Sequence, residues 1–196
     1  MTEIHTRINS ITYRGNEEIL GTGLTLLDYW LWAHSDMMNN TERGIFAEFL
    51  VHTAVNDTTN TRKDWTSYDV LSPEGIRIEV KSSGYVQTWN EEKISAIKFS
   101  VKPTRSWNPE THQYSEECTR NSDVYVFCLH KHKDKESINI LDLSQWTFFV
   151  LSTSTLNVMA SQQKTITLSR VKSLGATETD YAHLRSTITI IARSDN

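Results

Sequence analysis

The chain has 196 residues, of which 38% are hydrophobic and 22% are charged, as expected of a soluble globular domain long enough to bury a core. No apolar run approaches the roughly 18 residues that cross a bilayer, and the N-terminal residues lack the apolar stretch of a signal peptide. Cys118 and Cys128 have neither disulfide nor metal-ligand spacing, so we expect a cytoplasmic protein. The formal net charge of −4 argues mildly against a dedicated nucleic-acid-binding protein, since such proteins are usually basic.

The first predicted elements are a strand and two helices. Alternating polarity predicts a short strand over residues 4–13, and apolar residues at helical spacing predict a helix over residues 24–38. A second helix is predicted over residues 41–55, with Thr41 as its N-cap. This helix is apolar on nearly every side around Glu48, which indicates that it is buried.

Glu48 therefore needs a partner, because burying an unpaired carboxylate is costly. One alternative is a salt bridge to Arg43 or to another arginine. The other, which we favour, is a metal site that the carboxylate contacts directly or through water. His52 follows one helical turn later, where it would either line the same cleft or be a hydrogen-bonded core histidine.

A β-hairpin carries the main chemical signal. Strands are predicted over residues 65–71 and 76–81, and the tetrapeptide at 72–75 has the Ser, Pro and Gly of a type I turn closed by a left-handed glycine. A three-residue hairpin loop with a glycine bulge follows. In the register that this turn imposes, Asp69 lies opposite Glu79.

Strand alternation places Glu79 and Lys81 side by side, on the face expected to lie away from the core. Together with Asp69 they form a cluster of two carboxylates and one ammonium. Crowded carboxylates repel and need a cation; Lys81 supplies one charge, and a hard ion such as Mg²⁺, which prefers oxygen ligands, supplies two. The alternative is a surface hairpin with an ordinary Lys–Glu pair that contributes about 0–1 kcal/mol.

The segments Tyr68-Asp69-Val70 and Glu79-Val80-Lys81-Ser82-Ser83 resemble the PD-(D/E)xK nuclease superfamily, which has the restriction-endonuclease-like fold. The resemblance covers about residues 44–102 and departs from the usual pattern at Tyr68, where proline is common.

The resemblance implies a role for each residue of the motif. Asp69 and Glu79 are the expected ligands of Mg²⁺, or of Mn²⁺ as its substitute. The Val80 carbonyl would complete the coordination, and Glu48 would be a second-shell or second-metal ligand. Lys81 would position or deprotonate the attacking water and stabilise the phosphate. Ser82 and Gln87 are expected to support the site, with a solvent-exposed side chain as the alternative for Gln87.

Substrate contacts are predicted where Lys98, Lys102 and Arg105 lead from a strand over residues 98–102 into a polar loop containing Trp107. Cations neutralise phosphates, and an exposed aromatic ring stacks on bases. The alternative is a solvated strand face with an aromatic residue that anchors the loop. A second charged cluster, at residues 130–135, is interpreted as a solvated turn.

The later part of the chain predicts buried strands over residues 123–130 and 146–151 and an edge strand over 165–168, while residues 181–191 fit either a strand or a closing helix. This order predicts an α/β fold, a restriction-endonuclease-like mixed sheet flanked by helices, in a single domain over residues 1–196.

The sequence as a whole predicts a cytoplasmic, Mg²⁺-dependent endonuclease that hydrolyses phosphodiester bonds in nucleic acid, with DNA favoured over RNA. The alternative is a catalytically inactive nucleic-acid-binding or protein-interaction module that retains the nuclease fold. A membrane partner is not expected. A homodimer, in which two such sites would cut two strands, is expected only by analogy.

Overall fold

The computed structural model describes residues 12–56, 61–62, 66–88, 93–108 and 111–195. The strand predicted over residues 4–13 lies almost entirely outside these ranges.

The chain divides into two compact units, residues 1–37 and residues 38–196. The predicted nuclease core, residues 44–102, belongs to the second unit. The single domain expected over residues 1–196 stays a prediction.

The first unit contains a two-stranded hairpin, β1 (Glu18–Ile19) and β2 (Leu24–Thr25), followed by helix α1 (Leu26–His34). Thr25 caps α1: its hydroxyl accepts the Asp28 N–H, and the Asp28 carboxylate accepts the Thr25 N–H at 2.7 Å. This reciprocal capping box starts the helix two residues later than the apolar pattern predicts.

The second unit alternates strands with helices. Its strands are β3 (Val70–Leu71), β4 (Arg77–Gly84), β5 (Lys98–Ser100), β6 (Trp107–Asn108), β7 (Gln113–Tyr114), β8 (Val124–His130), β9 (Trp146–Ser152), β10 (Thr165–Thr167) and β11 (Thr177–Thr179). Its helices are α2 (Asn40–Val55), α3 (Thr153–Met159), α4 (Leu168–Ser173) and α5 (Leu184–Ser194), with a 3₁₀ turn at Leu143–Gln145.

A five-stranded mixed sheet organises this unit, in the order β11-β9-β8-β4-β3. The β4–β8 pair is parallel and the other pairs are antiparallel. Every residue of β8 and β9 is buried, which confirms the two strands predicted from apolar runs. The mixed α/β fold class is also confirmed.

Both faces of the sheet are covered. The β4–β8 register pairs Glu79 with Tyr125 and Lys81 with Phe127, so these side chains share one face, on which Tyr125 and Phe127 join a hydrophobic core. The expectation that Glu79 and Lys81 lie away from the core is therefore wrong. Because β4 lies next to the short edge strand β3, their side chains remain partly exposed.

Other boundaries also differ from the predictions. Helix α2 begins at Asn40 and is capped by Asn39, whose side chain accepts the Glu42 N–H at 2.9 Å, so Thr41 is not the N-cap. In the ambiguous segment at residues 181–191, a turn at residues 181–183 leads into helix α5, which begins at Leu184. The polar loop predicted around Trp107 contains the β6–β7 hairpin.

Candidate active site

The predicted turn positions the site. The Gly75 N–H donates to the Ser72 carbonyl at 3.0 Å, and Gly75 has a φ of 85°, a left-handed conformation that glycine adopts without strain. The Ser72 N–H donates to the Ile76 carbonyl at 3.0 Å, as the register requires. The strand predicted over residues 65–71 is shorter than expected, since β3 contains only Val70 and Leu71.

Asp69 reaches the site through its side chain. Strand pairing ends at Val70–Ile78, and the Asp69 N–H donates to the Ile78 carbonyl at 3.0 Å. The Asp69 carboxylate then accepts the Val80 N–H at 2.7 Å. The Asp69 side chain thus hydrogen-bonds to the edge of β4 beyond the end of β3. The predicted cross-strand pair of Asp69 and Glu79 does not form, and the bond to the Val80 N–H holds Asp69 beside Glu79.

Lys81 joins the two carboxylates. Its Nζ lies 2.6 Å from Glu79 Oε1 and 3.7 Å from Asp69 Oδ2, and the three side chains are only 21–26% exposed. The predicted convergence of Asp69, Glu79 and Lys81 is therefore present in the folded chain.

Burial and charge act against each other in this cluster. Burial raises the pKa of Glu79, and the negative charges of Asp69 and Glu48 raise it further, against the lowering effect of Lys81. Burial lowers the pKa of Lys81, but the charges of Glu79 and Asp69 outweigh it, so that pKa is raised overall. Relative to the free side chains, the site therefore favours the charged form of Lys81 and disfavours the charged form of Glu79.

Glu48 forms a two-point salt bridge with Arg62: Nε lies 2.6 Å from Oε2 and Nη2 lies 3.4 Å from Oε1. The predicted alternative, a salt bridge between Glu48 and an arginine, is therefore present, and the arginine is Arg62 instead of Arg43. Glu48 also affects the pKa values of Glu79 and Lys81 and lines a cavity together with Asp69 and His52.

Gln87 and Arg43 are buried together, 8% and 2% exposed, so the alternative of a solvent-exposed Gln87 is wrong. Gln87 Oε1 accepts from Arg43 Nη2 at 3.1 Å, and Gln87 Nε2 donates to the Gly84 carbonyl at 2.9 Å. Ser82 lies on the Val80 face of β4, opposite Glu79 and Lys81, and its hydroxyl oxygen is buried without a hydrogen-bond partner among the described residues.

A cleft of about 200 Å³ joins the carboxylates to the predicted substrate loop. It is lined by Asp69 and Glu79 on one side and by Arg105, Trp107 and Tyr114 on the other. Tyr114 was not predicted; it lies in β7, and its ring meets Trp107 edge-on with centroids 4.9 Å apart.

The other predicted substrate-contact residues lie apart from this cleft. Lys98 lies on β5 and Lys102 follows it; both are exposed, and neither lines the cleft. In the charged segment at residues 130–135, His130 is buried at the end of β8, so the solvated turn starts only at residue 131.

A second cavity, of about 410 Å³, lies on the α2 side of Asp69. Within the described ranges, no group of three or more His, Cys, Asp or Glu side chains is placed to hold a metal ion. Lys81 pairs with Asp69 and Glu79, and Arg62 pairs with Glu48. Among the same residues, no helix has the length and apolar character needed to cross a membrane.

The comparisons with known proteins agree with a nuclease. The family model described as bacteriophage T4 endonuclease IV matches residues 7–170, a range that includes both carboxylates, Lys81 and the whole cleft. A comparison with curated proteins found no match. Because the family match spans most of the 196 residues, this chain belongs to the bacteriophage T4 endonuclease IV family, a family of nucleases.

Proposed function

We propose that the chain is a metal-dependent DNA endonuclease of the PD-(D/E)xK type, with Asp69, Glu79 and Lys81 as its catalytic set. The observation that carries the proposal is the convergence of these three side chains beside a cleft lined by Arg105 and Trp107. The family match supports nuclease activity, and the endonuclease named in it supports the choice of phosphodiester hydrolysis.

The donor set fits a divalent cation. Among the described residues, the carboxylates of Glu48, Asp69 and Glu79 pair with the two cations Lys81 and Arg62, so a divalent cation would add positive charge where carboxylates outnumber cations. Burial is the main cause of the raised pKa of Glu79, and the negative charges of Asp69 and Glu48 add to it against the lowering effect of Lys81. Carboxylate oxygens are the ligands that Mg²⁺ and Mn²⁺ prefer.

Asp69 and Glu79 would hold the ion, with Glu48 as a second-shell or second-metal ligand once it leaves its arginine. The Val80 carbonyl is a further candidate, because Val80 directs its backbone groups toward the Asp69 edge of β4, away from β8. When bound, such an ion would polarise the phosphate, lower the pKa of water and neutralise the leaving oxygen.

Lys81 acts as a positioned cation in this proposal. Its raised pKa makes it a poor base and favours the role of orienting the attacking water and stabilising charge on the phosphate. Two groups across the cleft would hold the substrate: the Arg105 guanidinium on a phosphate and the Trp107 ring on a base or sugar. Lys98 and Lys102 would extend this basic path away from the cleft.

The test is cleavage of plasmid and linear DNA, with RNA in parallel, in Mg²⁺ or Mn²⁺ and in EDTA. We expect cuts in DNA that EDTA prevents, and micromolar to millimolar metal binding by calorimetry that Glu79→Gln removes. The matched control is Glu178→Gln, which breaks another Lys–Glu pair, to Lys172, at an exposed position. Absence of metal binding below millimolar concentrations, together with no cleavage of any DNA or RNA, would refute the proposal.

A further inference from the structure

We propose that the cavity on the α2 side of Asp69 is a nucleobase pocket, which holds one base of the substrate strand next to the phosphate that is cut. This inference rests on the proposed function and adds a second binding site to it. We call the cavity the α2 pocket; Ile45, Glu48, Phe49, His52 and Asn56 form its helix side.

The α2 pocket and the catalytic cleft are neighbours on opposite sides of one short segment. Thr66, Tyr68 and Asp69 line both cavities. The cleft lies on the side of Glu79, whereas the α2 pocket lies on the side of helix α2. A nucleotide bound at Asp69 therefore has a charged cleft on one side and a larger cavity, of about 410 Å³, on the other.

The wall of the α2 pocket suits a flat ring. Phe49 is 49% exposed and lines the α2 pocket together with Ile45, so the pocket offers an apolar aromatic surface to a ligand. The Phe49 ring stacks on Phe46 with centroids 6.2 Å apart, and Phe46 packs on the buried Trp146 at 6.1 Å. The exposed ring is thus backed by a packed aromatic row, which orders it before a ligand arrives.

Polar side chains also line the α2 pocket. Asn56 Nδ2 donates to the Leu71 carbonyl at 3.3 Å and lies 3.3 Å from His52 Nδ1, so the amide is held in one orientation. The Glu48–Arg62 pair lines the same cavity. A mostly apolar pocket with a few fixed polar groups is the usual design of a site that binds a small planar ligand.

A single nucleotide could occupy both cavities at once, with its phosphate in the cleft and its base in the α2 pocket. Its phosphate requires cations and metal-binding carboxylates, which the cleft provides, and its base requires an aromatic face with hydrogen-bonding groups at the edge, which the α2 pocket provides. A base in this pocket cannot remain stacked between its neighbours, so its binding free energy comes from the protein.

The test is a scan with abasic positions. The starting probe is one labelled DNA oligonucleotide that the native protein cuts at a single mapped bond. The test set contains the same oligonucleotide with one base removed at each position near that bond in turn. We expect one position, within two nucleotides of the cut, at which loss of the base lowers kcat/KM by about 5- to 150-fold, the usual value of a base–aromatic stack. Phe49→Ala should cause a similar loss on the intact oligonucleotide and little additional loss on that abasic one.

Two further variants make the result decisive. Phe49→Leu keeps an apolar contact to Phe46 and should fold if the alanine variant does not; it should show the same loss of sensitivity to that abasic position. Leu141→Ala, at an exposed apolar residue outside both cavities, should retain the native pattern.

Equal rates at every abasic position, or losses that multiply when Phe49 variants and the abasic position are combined, would overturn the inference while leaving the proposed nuclease intact. A native protein that cuts no nucleic acid would instead refute the proposed function itself.

Discussion

Lys81 Nζ lies 2.6 Å from Glu79 Oε1 and donates to it across one face of the same strand. A lysine two residues after a glutamate would ordinarily extend into water. Here both side chains are about one-quarter exposed or less, and Asp69 lies on the other side of the ammonium at 3.7 Å. Lys81 is therefore the counter-ion of the carboxylates in the metal-free chain, and the proposed mechanism gives it a second role toward water and phosphate.

Replacing Lys81 separates these two roles. Lys81→Ala should retain metal binding, or tighten it, because the variant removes a cation that competes for the same oxygens. Turnover should nevertheless fall by roughly 10²- to 10⁴-fold, the usual loss for an acid–base or positioning group. The measurements are metal titration by calorimetry and single-turnover DNA cleavage.

The matched control for that experiment is Lys164→Ala, at an exposed position outside the cleft, which should cleave at the native rate. Asp69→Ala and Glu79→Ala should lose metal binding and activity together. If Lys81→Ala cleaves at the native rate while both carboxylate variants are inactive, Lys81 is a structural counter-ion only.

The stability of the metal-free protein should depend on the charge of Glu79. Because the folded-state pKa of Glu79 is raised above its ordinary value of 4.5, the stabilisation from its protonated form is complete below pH 4.5. It is lost as the pH rises through the folded-state pKa. Glu79→Gln carries no such charge, so its free energy of unfolding should increase relative to that of the native chain as the pH rises from 4.5 toward neutrality.

Thermal unfolding in EDTA at several pH values measures this difference. Glu178→Gln is the comparison, since it breaks an exposed Lys–Glu pair. A Tm difference between Glu79→Gln and the native chain that is the same at every pH would contradict the assignment of a raised pKa to Glu79.

The salt dependence of DNA binding tests the substrate path. Changing Lys98, Lys102 and Arg105 together to alanine should reduce the slope of log K against log[salt] by up to about three phosphate contacts, each worth roughly 0.7 to 0.9. Arg105→Ala alone should have the clearest effect on cleavage, because only Arg105 of the three lines the cleft.

A variant with the same net charge provides the control. Lys131, Lys133 and Lys135 lie in the turn after β8, and changing all three to alanine should leave the slope close to the native value. An unchanged slope in the first variant and a reduced slope in this one would move the nucleic-acid path to the turn.

Gln87 should contribute to stability through Arg43. Gln87→Leu removes one of the two side-chain acceptors of the buried Arg43 Nη2, the Gln87 oxygen at 3.1 Å, and leaves only the Asn40 amide oxygen. It should lower the free energy of unfolding by about 1–3 kcal/mol. Urea unfolding measures the change, and Gln162→Leu, at an exposed position, is the control. A loss below about 0.5 kcal/mol would show that water or another group replaces the amide.

Local patterns in the sequence determined much of the architecture. The turn at residues 72–75 is specified by short-range sterics, since Pro sets one backbone angle and glycine permits the left-handed one, and its hydrogen bonds form as predicted. Strands β8 and β9 follow from apolar runs that only a buried strand or helix can satisfy. The same turn sets the pairing register of the hairpin. Asp69, Glu79 and Lys81 could therefore be identified from the sequence as residues of one candidate site.

Partners that are distant in the sequence were decided by the tertiary structure. Glu48 pairs with Arg62, 14 residues later, although the sequence equally allowed Arg43, which instead pairs with Gln87. Asp69 reaches β4 through its side chain because β3 ends early.

Tyr114 joins the cleft only because the β6–β7 hairpin turns its ring toward Trp107. Sequence periodicity specifies the direction in which a side chain leaves its own strand or helix, because that direction follows from local backbone geometry. The group that it meets depends on how separate elements pack, so the two cavities that meet at Asp69 exist only in the folded chain.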